Sequence, residues 1–111
     1  MKLEFVELAP FAAQRAHCFE NDDDFARFQS HLGNHPELVT PMPGCGGLRK
    51  IRWPGRGKGK SGGLRIIYLN VPEQSRIYLI DVYAKGEQEN ISPEDKRDYR
   101  RLVLAIRKSP R

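Results

Sequence analysis

The chain has 111 residues, 39% of them hydrophobic and 30% charged, and a formal net charge of +5. That size is one ordinary domain, expected to span residues 1–111, and the mix is that of a globular chain rather than a disordered one. The only two cysteines, Cys18 and Cys45, lack metal-ligand spacing, no apolar run approaches the roughly 18 residues of a membrane span, and the opening residues lack a signal-peptide core. These features argue against a disulfide scaffold, a zinc site and a membrane anchor. The expectation is a cytoplasmic protein with structural thiols, no metal and no cofactor.

In chain order, Lys2 to Leu8 alternates loosely and predicts a first strand. Pro10 to Phe19 can form a short helix. Asn21 to Asp24 places carboxylates at the positive end of a helix dipole, and Phe25, Phe28 and Leu32 follow at helical spacing, so a second helix runs to about Leu32. Gly33-Asn34-His35-Pro36 stops it, and a turn-rich connection leads to Gly47. Three strands come next, over Leu48–Trp53, Gly63–Asn70 and Ile77–Tyr83. The turn Pro72-Glu73-Gln74-Ser75 makes the last two an antiparallel hairpin. Ser92, Pro93 and Asp95 form a helix start, with a serine cap, proline in the first turn and an acid in capping-box position. Tyr99, Leu102, Val103 and Ile106 mark the apolar face of that helix. The order β-α-α-β-β-β-α defines an α+β fold, an antiparallel sheet packed by two N-terminal helices and a C-terminal helix.

The charge is concentrated. Residues 49–65 hold Arg49, Lys50, Arg52, Arg56, Lys58, Lys60 and Arg65 and no acid, while the rest of the chain carries 12 Lys and Arg against 14 Asp and Glu. A basic segment on a nearly neutral body points to a polyanion, and RNA phosphates are the expected partner. Side chains alternate along a strand, so Lys50 and Arg52 share one face and Ile51 and Trp53 the other. Arg65 interrupts an apolar run, either as an edge arginine snorkelling to water or as a phosphate clamp beside Lys50 and Arg52; its planar fork suits the clamp. Between the strands lies Pro54-Gly55-Arg56-Gly57-Lys58-Gly59-Lys60-Ser61-Gly62-Gly63. Gly59-Lys60-Ser61 matches the end of a nucleotide-binding loop, but Pro54 occupies the position of its first glycine and a strand follows where a helix is required. Nucleotide hydrolysis is rejected, and a cationic loop that tracks RNA remains. Tyr83 and Lys85 end the last strand, where a tyrosine could stack on a base or be an ordinary rim aromatic, and a lysine could meet the scissile phosphate or only water. His17, His31 and His35 all fall in the helical half, which leaves no visible histidine acid–base pair.

Taken together, Gly46-Gly47-Leu48-Arg49-Lys50-Ile51-Arg52, the Gly-Lys loop, Gly62-Gly63-Leu64-Arg65-Ile66-Ile67-Tyr68 and Ile77 to Lys85 resemble, in order and spacing, the HigB branch of the RelE toxin family. The resemblance covers about residues 1–108. It implies a RelE-like fold and the toxin of a bacterial toxin–antitoxin pair. It further implies a metal-independent endoribonuclease that cuts mRNA in the ribosomal decoding site and is silenced by a cognate antitoxin. That antitoxin would be a small helix-turn-helix protein, so the toxin meets operator DNA only indirectly. Carried over by position, Lys50 and Arg52 match the family's basic pair on the central strand and Arg65 the arginine of the next strand. Lys85 falls beside the basic position near the end of the last strand. The family's C-terminal tyrosine has no clear match, and Tyr83 is the nearest substitute. The implied catalytic set is Lys50, Arg52, Arg65 and Lys85, with Arg49, Arg56, Lys58, Lys60 and Tyr83 contacting RNA. Two other functions fit the same fold class: a toxin that poisons DNA gyrase without nuclease chemistry, against which the Lys/Arg set on the central strands argues, and an RNA-binding module without catalysis.

Overall fold

The computed structural model describes residues 2–55, 63–86 and 90–109. The elements are β1 (Glu4–Glu7), α1 (Ala9–Cys18), α2 (Asp22–Asn34), β2 (Arg49–Trp53), β3 (Leu64–Val71), β4 (Arg76–Ala84) and α3 (Pro93–Lys108), with a single 3-10 turn at Pro72–Gln74. The order and the α+β class are those expected, and the helix starts form as their chemistry dictates. Asn21 accepts a bond from Asp24 N at 2.8 Å to cap α2, and Ser92 and Asp95 close a reciprocal capping box on α3.

The four strands lie in the order β1-β4-β3-β2. β2, β3 and β4 are antiparallel, but β1 runs parallel to β4, so the sheet is mixed rather than antiparallel throughout. The reason is connectivity: α1, α2, β2 and β3 all intervene, and that length lets the chain return to β1 in the same direction. β1 is an edge strand, tied to β4 by Arg76 Nε donating to Glu4 Oε1 at 2.9 Å. The β3–β4 turn ends on Ser75 in the left-handed region, φ 54°.

Each face of the sheet carries its own core. On one side α1 and α2 bring Phe11, Phe19, Phe25, Phe28 and Leu32 against Ile51, Ile66, Tyr68, Leu79 and Val82, with Trp53 at the margin. On the other, α3 brings Val103 and Ile106 against Leu48, Ile67, Leu69, Ile80 and Tyr83, with Cys45 among them. Cys18 and Cys45 are buried thiols outside any disulfide among the described residues, one in each core. Close approach of α3 needs Gly46, at φ +76°, where a Cβ would come within 3.2 Å of Val103. The far end of α3 is fixed by Gln74 Nε2 donating to Ile106 O at 3.2 Å, and the Tyr78 hydroxyl donates in turn to Gln74. Among the described residues no helix is long and apolar enough to cross a membrane.

The β3–β4 ladder contains a one-residue irregularity. Ile67 pairs with Asp81 but the next residue, Tyr68, pairs with Leu79, so Ile80 is an extra residue in β4. This bulge resets the alternation. Leu79 and Val82 belong to the α1/α2 core, whereas Ile80 and Tyr83 belong to the α3 core.

Candidate functional site

The register of β2, β3 and β4 assembles the site from side chains directly opposite one another. Arg52 faces Arg65, and Arg65 faces Tyr83 on its other side; one row below, Lys50 faces Ile67, which faces Asp81. Both rows lie on the α3 side of the sheet, because Ile67 and Tyr83 belong to that core while Ile51, Ile66 and Val82 belong to the other. Lys50, Arg52 and Arg65 are therefore brought together as their spacing predicts. Arg52 is exposed and Lys50 half-buried. Arg65 is only 5% exposed, with Nη1 3.4 Å from the Leu64 carbonyl oxygen, so its charge acts on the site from beneath rather than as an open fork. Two arginines directly opposite on one face add their positive fields there, which favours a bound anion.

Tyr83 is 4% exposed with its hydroxyl buried, and its ring is part of the α3 core rather than a platform open to a base. Lys85 is exposed just past β4, and its backbone N donates to Gly63 O at 3.1 Å, joining the start of β3 to the end of β4. Gly63 sits at φ +59°, where a Cβ would meet Trp53 O at 2.6 Å and Gly55 N at 3.3 Å. Only glycine fits that crossing, and it holds the two ends of the Gly-Lys loop together at the Arg52–Arg65–Tyr83 end of the sheet. Arg56, Lys58 and Lys60 lie outside the described residues.

Arg49 does not join the group. Its neighbour across the ladder is Tyr68 of the α1/α2 core, and its guanidinium donates to the carbonyls of Val39 and Glu37. It latches the α2–β2 connection onto the sheet, beside the Tyr68 hydroxyl, which donates to Pro36 O at 2.8 Å. Burial raises the Tyr68 pKa, with Arg49 opposing and Glu37 adding to the shift.

Two further residues border the site without having stood out in the sequence. Asp81 lies in the Lys50 row, its Oδ1 accepting from Val82 N at 2.9 Å, and burial raises its pKa against the lowering effect of that bond. Tyr99, on α3, is pushed up to about 12, first by burial and then by the negative fields of Asp81, Tyr83, Asp95 and Cys45. The signal for Asp81 was present: a carboxylate inside the apolar run Ile77–Tyr83 is as conspicuous as Arg65 inside its own. Among the described residues no cluster of His, Cys, Asp and Glu could hold a metal ion.

What remains is a solvent-accessible cationic rim, Lys50 and Arg52, backed by a buried arginine and bordered by one carboxyl group. Such an arrangement can bind an anion and stabilise negative charge developing on it. Residues 44–109 match the family described as the RelE toxin of the RelE/RelB toxin–antitoxin system. The match takes in every element of the site, from the turn before β2 to the end of α3. The chain belongs to the RelE toxin family. It is the toxin of a toxin–antitoxin system, and its partner is an antitoxin.

Proposed function

We propose that this toxin is an mRNA endoribonuclease of the HigB-like branch, acting on the ribosome and stopping translation. One observation carries the reading: Arg52 stands directly opposite Arg65, with Lys50 on the same face one row away. That arrangement gathers positive charge on one face, which is favourable for a phosphate in which negative charge is growing. In the reaction, the 2′-oxygen attacks the adjacent phosphorus, the bond to the 5′-oxygen breaks, and a 2′,3′-cyclic phosphate and a free 5′-hydroxyl result. Arg52 meets the phosphorane oxygens, Arg65 supplies a fixed positive field, and Lys50 is the proton relay. Lys85, with Arg56, Lys58 and Lys60, holds the flanking backbone. Charge stabilisation by these cations makes the reaction metal-independent. Residues 1–111 work as one cytoplasmic domain, silenced by a helix-turn-helix antitoxin that alone contacts operator DNA.

The test is replacement of Lys50, Arg52 and Arg65 by Ala, one at a time. Each variant should lose growth inhibition and mRNA cleavage, mapped as new 5′ ends by primer extension, while keeping the helical signal of the native protein. Three variants that still cut as the native protein does would remove this site from consideration.

A further inference from the structure

The outward ridge of α3 is not used by the site. Successive helical residues turn through about 100°, so Arg97, Arg101, Leu104 and Lys108 fall within one narrow stripe. Val103 and Ile106, on the opposite side, are buried in the core. After Asp98 the helix has no acid, and its cations are Arg100, Arg101, Arg107 and Lys108. Arg100 is occupied by the Gly44 carbonyl at 2.7 Å and Arg107 by Glu73 at 3.2 Å. Those two flank the ridge. On it, Arg101 meets only Asp98, at 3.5 Å with both side chains exposed, a pairing worth little. Arg97 and Lys108 are exposed, with no ion pair among the described residues. Leu104 stands between them, 58% exposed.

We infer that this ridge is a second RNA-contacting surface, one that grips the phosphate backbone of ribosomal RNA while the sheet holds the message. The inference rests on the ribosome being the place where the site works. Three observations carry it. The ridge spans about 16 Å from Arg97 to Lys108, long enough to meet several successive phosphates of a backbone. Its helix starts near the site, where Tyr99 packs against the core that holds Tyr83, carries its acids Glu94, Asp95 and Asp98 at that end, and leads to Gln74 at the far end of the sheet, so its acid-free stretch with Arg101 and Lys108 lies on the part leading away from the site. It faces away from the sheet, so an RNA strand lying over Lys50 and Arg52 does not cover it; what it meets is the wall around the protein. Arginine forks suit that role, and Leu104 adds nothing to it but does not obstruct it.

The experiment is binding of the purified toxin to ribosomes carrying no message, over a salt series, with Arg97, Arg101 and Lys108 all replaced by Gln. Three lost contacts should flatten the log–log salt slope by about 2 and weaken binding by about tenfold or more near physiological salt. The charge-keeping variant R97K/R101K/K108R should recover most of the affinity. Cleavage at saturating ribosome should be unchanged. Equal affinity of the Gln variant and the native protein for ribosomes would overturn the inference. So would an equal fold-loss on a free single-stranded oligonucleotide, which would assign the ridge to the message. Lost antitoxin affinity with ribosome binding intact would assign it instead to an acidic segment of the antitoxin. Native toxin that binds no ribosomes at any salt would remove this inference together with the ribosomal part of the proposed function, whereas ribosome-bound toxin that fails to cut would touch only the catalytic assignment.

Discussion

The two faces of the sheet share four strands and divide the work. Under α1 and α2 the contacts are almost wholly apolar, with Phe11, Phe19, Phe25 and Phe28 meeting at ring-centroid distances of 5.1 to 6.4 Å. Under α3 the same strands present Lys50, Arg52, Arg65 and Asp81 beside Ile67 and Tyr83. Aromatic pairs of this kind are worth more than their buried area alone. Alternation along each strand lets both faces hold a core while only the α3 side also carries the cationic cluster.

The division can be broken by substitutions on either side. Phe28→Ala, at the centre of the aromatic core, should destabilise by about 3–5 kcal/mol and remove toxicity through unfolding. Equilibrium denaturation measures it, and a loss below about 1 kcal/mol would contradict the stabilising role given to that face. Arg52→Ala should do the reverse: cleavage falls by about 10²–10³-fold while stability moves by less than about 0.5 kcal/mol. Single-turnover cleavage beside a denaturation curve separates the two, and parallel losses would blur the division. Gly63→Ala tests the rim where β2 and β3 close the loop. A left-handed alanine facing the Trp53 carbonyl should cost at least about 1–2 kcal/mol, seen as a lower denaturant midpoint at constant m. The smallest effect belongs to Asp81→Asn. The folded protein holds the Asp81 proton more tightly than the unfolded chain does, so the carboxylate penalises folding once pH rises above its ordinary range. Asn should therefore leave the protein slightly more stable at pH 7, and the difference should close as pH falls below the ordinary aspartate value of 3.8. A variant less stable at every pH would show that Asp81 is needed as an anion.

Local chemistry made much of this legible in advance. Ser92, Pro93 and Asp95 announce α3 because capping is settled within four residues, and the alternation of Lys50-Ile51-Arg52-Trp53 sorts itself between a wet and a dry face. Arg49 continues that alternation, yet a stretch of seven cations reads as one patch until the sheet separates its members. The parallel pairing of β1 could not be read locally, because it depends on the chain returning to β4 some 70 positions later, as the pairing of Glu4 with Arg76 shows. Tyr83 was expected to contact RNA for a related reason: its place at a strand end says nothing of Val103 and Ile106, which share its core from α3.

The extra residue at Ile80 is, in effect, a phase shift. Before it, the odd-numbered residues Ile77 and Leu79 point toward α1 and α2; after it, the even-numbered Val82 does, and Tyr83 turns to the opposite side. A strand with no such slip would carry Asp81 and Tyr83 into the phenylalanine cluster and aim Val82 at the cations. A single inserted residue thus lets one strand obey two incompatible parities, a dry one for its first half and a charged one for its last. Deleting Ile80 would not merely shorten β4. It would make Leu79 and Asp81 neighbours opposite Tyr68 and Ile67 in plain alternation, so the carboxyl and phenol would keep their side of the sheet while the core under α3 lost the Ile80 side chain.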